Sequence, residues 1–127
     1  MAYFESIKEI TLPASADLSS YQYYFVDVDT SGLAAVVASA GAKCVGILLN
    51  KPSAANAASE IADIAAGGIC KVKAAAAITC GDEITPAADG RAQTATSSQI
   101  VVGRALEAAA AAGIVIAVKL GPTYVKA

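Results

Sequence analysis

The sequence predicts an all-β domain, a small β-barrel or β-sandwich of short antiparallel strands, from three features. Apolar, β-branched segments recur every 8 to 15 residues, each closed by a Gly, Pro, Asn or Asp turn signal. The last segment alternates, with Ile114, Ile116, Val118 and Leu120 on one face and Lys119 on the other. The third feature is RALEAAAAAGIVIAVKL at 104–120, whose alanines invite a helix. From Ala108 to Gly113 such a helix would have only about one and a half turns, too few for propensity to overcome nucleation. With Ile100-Val101-Val102 before it and Ile114 to Val118 after it, the run reads instead as the connection of a hairpin.

Taken in order, residues 1–16 form an N-terminal arm ahead of a single β-rich domain at 17–127. Tyr3, Phe4, Ile7, Ile10 and Leu12 place five large apolar side chains before Pro13. They suit either an edge strand docked on the domain or on a neighbouring copy, or a segment that reaches a partner. YQYYFVDVD at 21–29 reads as a strand running into Thr30-Ser31-Gly32. LAAVVAS follows, then KCVGILL at 43–49, halted by Asn50-Lys51-Pro52. After the small-residue loop SAANAAS come EIADIAA, a break at Gly67-Gly68, and ICKVKA. The second half reads DEIT, a turn at Asp89-Gly90, RAQTAT, QIVVGRALEAA, a turn near Gly113, and IVIAVKL. VGILLN at 45–50 and VGRALE at 102–107 stand 57 positions apart, their Gly46 and Gly103 falling 14 and 13 residues after a turn glycine, Gly32 or Gly90. An internal duplication leaves that pattern, and so does alanine-rich sequence aligned with itself.

Composition excludes more than it specifies. The chain has no histidine and no tryptophan, alanine is about a quarter of its 127 residues, and charged residues are 16% against 56% hydrophobic. An ordinary domain carries roughly 25% charge. The apolar excess calls for several copies, or a larger assembly, to cover what one core cannot. A net charge of −2 with scattered single charges offers no stripe for phosphates or an anionic membrane, so nucleic acid and membrane are not expected partners. The longest uncharged apolar run, Ala108 to Val118, is about half of the roughly 20 residues that span a bilayer. Glu5, Lys8 and Glu9 argue against a signal or transit peptide, which makes a cytoplasm the expected place of synthesis.

No catalytic or cofactor motif emerges. Cys44, Cys70 and Cys80 are widely spaced, without a CxxC, and read as reduced thiols acting as small hydrophobes; with no histidine for a fourth ligand, a zinc site is not expected. Asp27-Val28-Asp29-Thr30-Ser31-Gly32 opens like a calcium loop, but Ala38 stands where the bidentate Glu belongs, so a side-chain-held turn explains it better. Cys80-Gly81-Asp82-Glu83 has no base to activate the thiol. No spacing singles out a Ser–Lys or carboxylate pair among Lys51, Lys71, Lys73, Glu60 and Asp63. Gly67-Gly68 belongs to no phosphate loop.

The order of DLSSYQYYFVDVDTSG, CVGILLNKPSAANAASEIADIAAGGICKVKA, AITCGDEITPAADGRA and VVGRALEAAAAAGIVIAVKLG, from about Asp17 to Gly121, resembles the small capsid decoration, or cement, proteins of tailed bacteriophages. VGILLNKP, AITCGDEIT with its following DG, and GRALEAAAAAG carry most of that resemblance. It implies a β-barrel or sandwich, usually a homotrimer, on the outside of the head at three-fold or quasi-three-fold positions. The expected function is that of a structural virion protein, not an enzyme, which binds the major capsid protein from outside, stabilises the shell and takes no cofactor. Tyr3, Phe4, Ile7, Ile10 and Leu12 are then the candidate capsid or inter-subunit contact. A different class, a β-domain recognising glycan or a host surface, would need exposed aromatics. Strand alternation puts Tyr21 and Tyr23 on one face and Tyr24 on the other, which gives no platform.

Overall fold

The computed structural model describes residues 2–127, and the described residues hold ten strands and no helix. The first five are β1 (Glu9–Pro13), β2 (Phe25–Val28), β3 (Ala34–Val36), β4 (Gly46–Leu48) and β5 (Ala58–Asp63). They form an antiparallel sheet in the order β1-β5-β4-β2-β3. The second five are β6 (Ile69–Lys73), β7 (Glu83–Pro86), β8 (Ala92–Thr94), β9 (Ile100–Ala105) and β10 (Val115–Val125). Their order is β6-β10-β9-β7-β8, the first order with every strand advanced by five. The sheets remain open, so the architecture is the sandwich rather than the barrel. The alanine run is the β9–β10 connection, and Ala109 makes only an isolated bridge with Ile78.

The duplication extends to individual hydrogen bonds. Gly46 pairs with Asp63 and Gly103 with Leu120, partners displaced by 57 positions. Val26 pairs with Val36 and Ile84 with Thr94, displaced by 58. A parallel bridge draws the end of each sheet's first strand toward its third, Ala14 to Ala34 and Ala74 to Ala92. The Asn50 Oδ1 accepts from the Glu60 N–H at 2.9 Å, and the Glu107 Oε1 accepts from the Ala117 N–H at 2.8 Å. Gly46 and Gly103 are both sites of close approach: a Cβ there would lie 2.0 Å from the Ala62 carbonyl oxygen and 2.6 Å from that of Lys119.

Two apolar clusters follow from the two faces of the strands. Phe25, Ile47 and Ala62 of the first sheet, with Ile64 just after β5, share one cluster with Val72, Ile84, Val118 and Leu120 of the second. Residues of the opposite parity, Val26, Leu48 and Ile61, form a second cluster with Ala14, Leu18 and Ala34. Asp29 closes the β2–β3 turn through its carboxylate, which accepts from the Ser31 and Leu33 N–H groups at 2.9 Å.

The repeats differ in one cross-strand row. Phe25, Ile47 and Ala62 lie side by side across β2, β4 and β5 and are fully buried. The matching row across β7, β9 and β10 is Glu83, Arg104 and Lys119. The second sheet therefore keeps the hydrogen bonding of the first while its outward face is charged.

Candidate functional site

This outward face of the second sheet gathers the chain's distinctive surface chemistry. In β6, Cys70 and Val72 point into the core, which leaves Ile69, Lys71 and Lys73 on the other side. Lys119 is paired with Ile69, and Arg104 with both Lys119 and Glu83, so Lys71, Lys73, Lys119, Arg104 and Glu83 project from one face.

At the β6 end the face carries aromatic rings. The Lys71 ammonium lies 4.9 Å from the centroid of Phe4 and 5.8 Å from that of Tyr23, whose rings are 6.1 Å apart. Lys73 lies 5.8 Å from the ring of Tyr24, which meets Tyr21 edge-on at 5.1 Å. These spacings suit cation–π attraction, worth about 0.5–1 kcal/mol each at exposed sites. Strand alternation does not govern these tyrosines: β2 begins only at Phe25, and Tyr23 has a φ of 69° that breaks the extended backbone. The expectation of separated rings is therefore corrected, since Tyr21 and Tyr24 touch and Tyr23 joins Phe4.

At the β9 end lies an open groove of about 520 Å3, lined by Val101, Gly103, Arg104, Lys119, Pro122 and Tyr124 among others. Its acids are satisfied from within. The Glu83 carboxylate accepts from the Lys126 ammonium and the Tyr124 hydroxyl. The Lys126 hydrogen bond, followed by that of Tyr124, holds the Glu83 carboxyl below its ordinary range. Asp82 accepts from the Thr94 hydroxyl at 2.7 Å and the Thr79 N–H at 3.0 Å. Arg104 spends one N–H on the Gly81 carbonyl oxygen at 3.0 Å. The Lys119 ammonium makes no hydrogen bond or ion pair among the described residues.

The five arm residues are distributed rather than clustered. Ile7 packs against the main core, Ile10 and Leu12 against the second cluster, and β1 is the edge strand beside β5. Tyr3 and Phe4 stay outside, each 42% exposed, and only Phe4 joins the aromatic patch. Among the cysteines, Cys70 is buried and its thiol is pushed up to about 12 by desolvation, and Cys44 is half-buried. Cys80 departs from the small-hydrophobe expectation: it is exposed, because it lies at the turn before β7 rather than in a strand. Sequence reasoning missed the groove. Its signal was charge at positions where the first repeat holds Phe25, Ile47 and Ala62.

A family model described as phage cement protein matches residues 5–120. No curated protein matches the chain. Among solved structures, the fold is similar to the head fiber gp8.5 N base of bacteriophage phi29, with a TM-score of 0.68 at 16% identity, covering 95% of this chain and 99% of that one.

Proposed function

The chain belongs to the phage cement protein family and is a structural component of a phage virion; from this premise we propose that it binds the outer surface of the head as a homotrimer and holds the assembled shell against rupture. The observation that supports this reading is the aromatic and lysine patch in which exposed Phe4 and Tyr21 adjoin half-buried Tyr23 and Tyr24 over Lys71 and Lys73. Surface rings backed by cations are suited to burial against another protein, since aromatics supply large contact area at low entropic cost. In this reading the shell contact is centred on Phe4 and Tyr23, while Ile7, Ile10 and Leu12 anchor the segment to its own domain. Three copies held together bind a shell far more tightly than one, through effective concentration.

Cosedimentation with undecorated heads tests the proposal. Phe4→Ala with Tyr23→Ala removes two rings, each worth about 1–2 kcal/mol when buried, so binding of a single copy falls by roughly tenfold or more and that of a trimer much further. Undiminished binding by the folded double variant refutes the patch as the contact. A second reading, recognition of a glycan, is favoured by the edge contact of Tyr21 and Tyr24. It requires that Tyr21→Ala abolish saccharide binding while head binding persists.

A further inference from the structure

We propose that the pocket between Lys51 and Lys73 is a carboxylate-binding site, which seats an acidic side chain of the shell surface when the domain docks. This rests on the shell reading above and deepens it by naming the chemistry of the partner. The pocket measures about 330 Å3 and is built by three separate stretches of chain: Ser19, Ser20, Gln22 and Tyr23 ahead of β2, Lys51 just after β4, and Lys73 at the end of β6. No acidic residue lines it among the described residues. Neither ammonium forms an ion pair or hydrogen bond among those residues, and Lys73 has only the ring of Tyr24, 5.8 Å away. The nearest acid along the segment, Asp17, is already engaged, its carboxylate accepting from the Ser19 hydroxyl at 2.6 Å and the Ser19 N–H at 2.9 Å. Two cations therefore line one cavity without a counter-charge.

Polar groups in the same segment suit an anion. The Ser20 and Gln22 N–H groups have no acceptor among the described residues, and the Gln22 side chain is pinned by a 2.8 Å hydrogen bond from its Nε2 to the Leu49 carbonyl oxygen. The duplication adds an independent argument. Lys51 corresponds to Ala108, as Asn50 does to Glu107, and Lys73 corresponds to Pro13, as Ala74 does to Ala14. The fold is built at the equivalent positions without a lysine, so neither cation is needed to build it. The neighbouring cavity fixes what accompanies the carboxylate. Tyr23 also lines a pocket of about 310 Å3 with Phe4, Ile7, Leu49 and Glu9, which suits an apolar side chain and repels an acid. The partner segment thus carries a carboxylate beside an apolar residue, and the charge pairing sets the register of the contact.

The test is binding of the purified chain to undecorated heads, measured by cosedimentation across salt. Wild-type affinity falls by about tenfold or more between about 0.05 and about 0.5 M salt. Lys51→Glu with Lys73→Glu lowers binding by roughly a hundredfold, Lys51→Gln by roughly fivefold, and Lys51→Arg leaves it near wild type. Lys43→Glu, the same change of charge beside a different cavity, controls for general electrostatics and binds within about twofold of wild type. Circular dichroism confirms that each variant is folded. A water-soluble carbodiimide then joins the partners directly: an amide forms between a lysine Nζ and the shell carboxyl carbon in contact with it, and the reagent leaves as its urea, carrying the water removed. Peptide mapping finds the bridge at Lys51 or Lys73 and not at Lys43. Wild-type binding that ignores salt and survives the double reversal, or bridges spread equally over the three lysines, overturns the proposal and leaves the shell reading standing. Absence of wild-type binding overturns the shell reading, and this site with it.

Discussion

Replacing Gly46 with alanine drives a methyl group into the β4–β5 ladder. The added Cβ would stand 2.0 Å from the Ala62 carbonyl oxygen and 2.6 Å from the Ile61 Cγ2. A carbon and a carbonyl oxygen rest comfortably at about 3.3 Å, so the strands must part by about 1 Å. They have little to spare, because β4 is three residues long and alone joins β5 to β2 in the sheet. Overpacking costs about 1–3 kcal/mol, and one or two weakened ladder bonds add about 1 kcal/mol each, for a loss of about 2–5 kcal/mol. For a chain of this size 1 kcal/mol is about 4 °C, so the melting temperature falls by about 8–20 °C. Gly32→Ala is the control, since its added Cβ meets nothing within 4 Å and only its φ of +80° resists. That costs about 1 kcal/mol. Thermal melts followed by circular dichroism at one fixed protein concentration decide the matter. A Gly46→Ala protein melting within about 3 °C of wild type, or a larger drop for Gly32→Ala, refutes the reasoning.

Ser59 is fully buried in β5 with its hydroxyl unpartnered, and its counterpart in the second repeat is Ile116. Ser59→Ala should raise the melting temperature by about 4 °C, about 1 kcal/mol, and an unchanged or lower value contradicts the orphaned hydroxyl. Glu83 supplies the pH prediction. Its folded pKa is depressed, so its stabilisation is complete above the unfolded value of about 4.3 and is lost as pH falls through the folded value. Urea unfolding at about pH 5 and about pH 3 should therefore show a smaller acid loss for Glu83→Gln than for wild type, and equal losses defeat the assignment.

The strand content was legible because it rests on local signals. β-branched runs between turn residues mark β4 to β6 and β9 to β10, and the short alanine run is the loop the nucleation argument requires. Ile10 and Leu12 alternate with Glu9, Thr11 and Pro13, and their half-buried pattern in β1 follows that alternation. The tyrosines misled because YQYYFVDVD has strand composition throughout, whereas the strand starts at its fifth residue. The contrary signal lay in the other half. Tyr23 donates its N–H to Leu48 as Gly81 does to Ala105, and Gly81 has a φ of 94°, so the repeat marks a left-handed position that the tyrosine must share. The groove was illegible for another reason. Glu83, Arg104 and Lys119 meet only through the register of three strands, which local pattern does not encode.

The separation of the two sheets along the chain sets an order of assembly during synthesis. Every strand of the first sheet lies before residue 64 and every strand of the second after residue 68, so the first can pair its strands while the second is still being made. At ribosomal rates of about 5–20 residues per second, the remaining 60 or so residues take roughly 3–12 seconds. Through that interval Phe25, Ile47 and Ala62 face water, although the second apolar cluster, built wholly from the first half, is already complete. The nascent chain is most prone to misassembly at that stage, when a neighbouring chain's second sheet could cover the waiting face as well as its own.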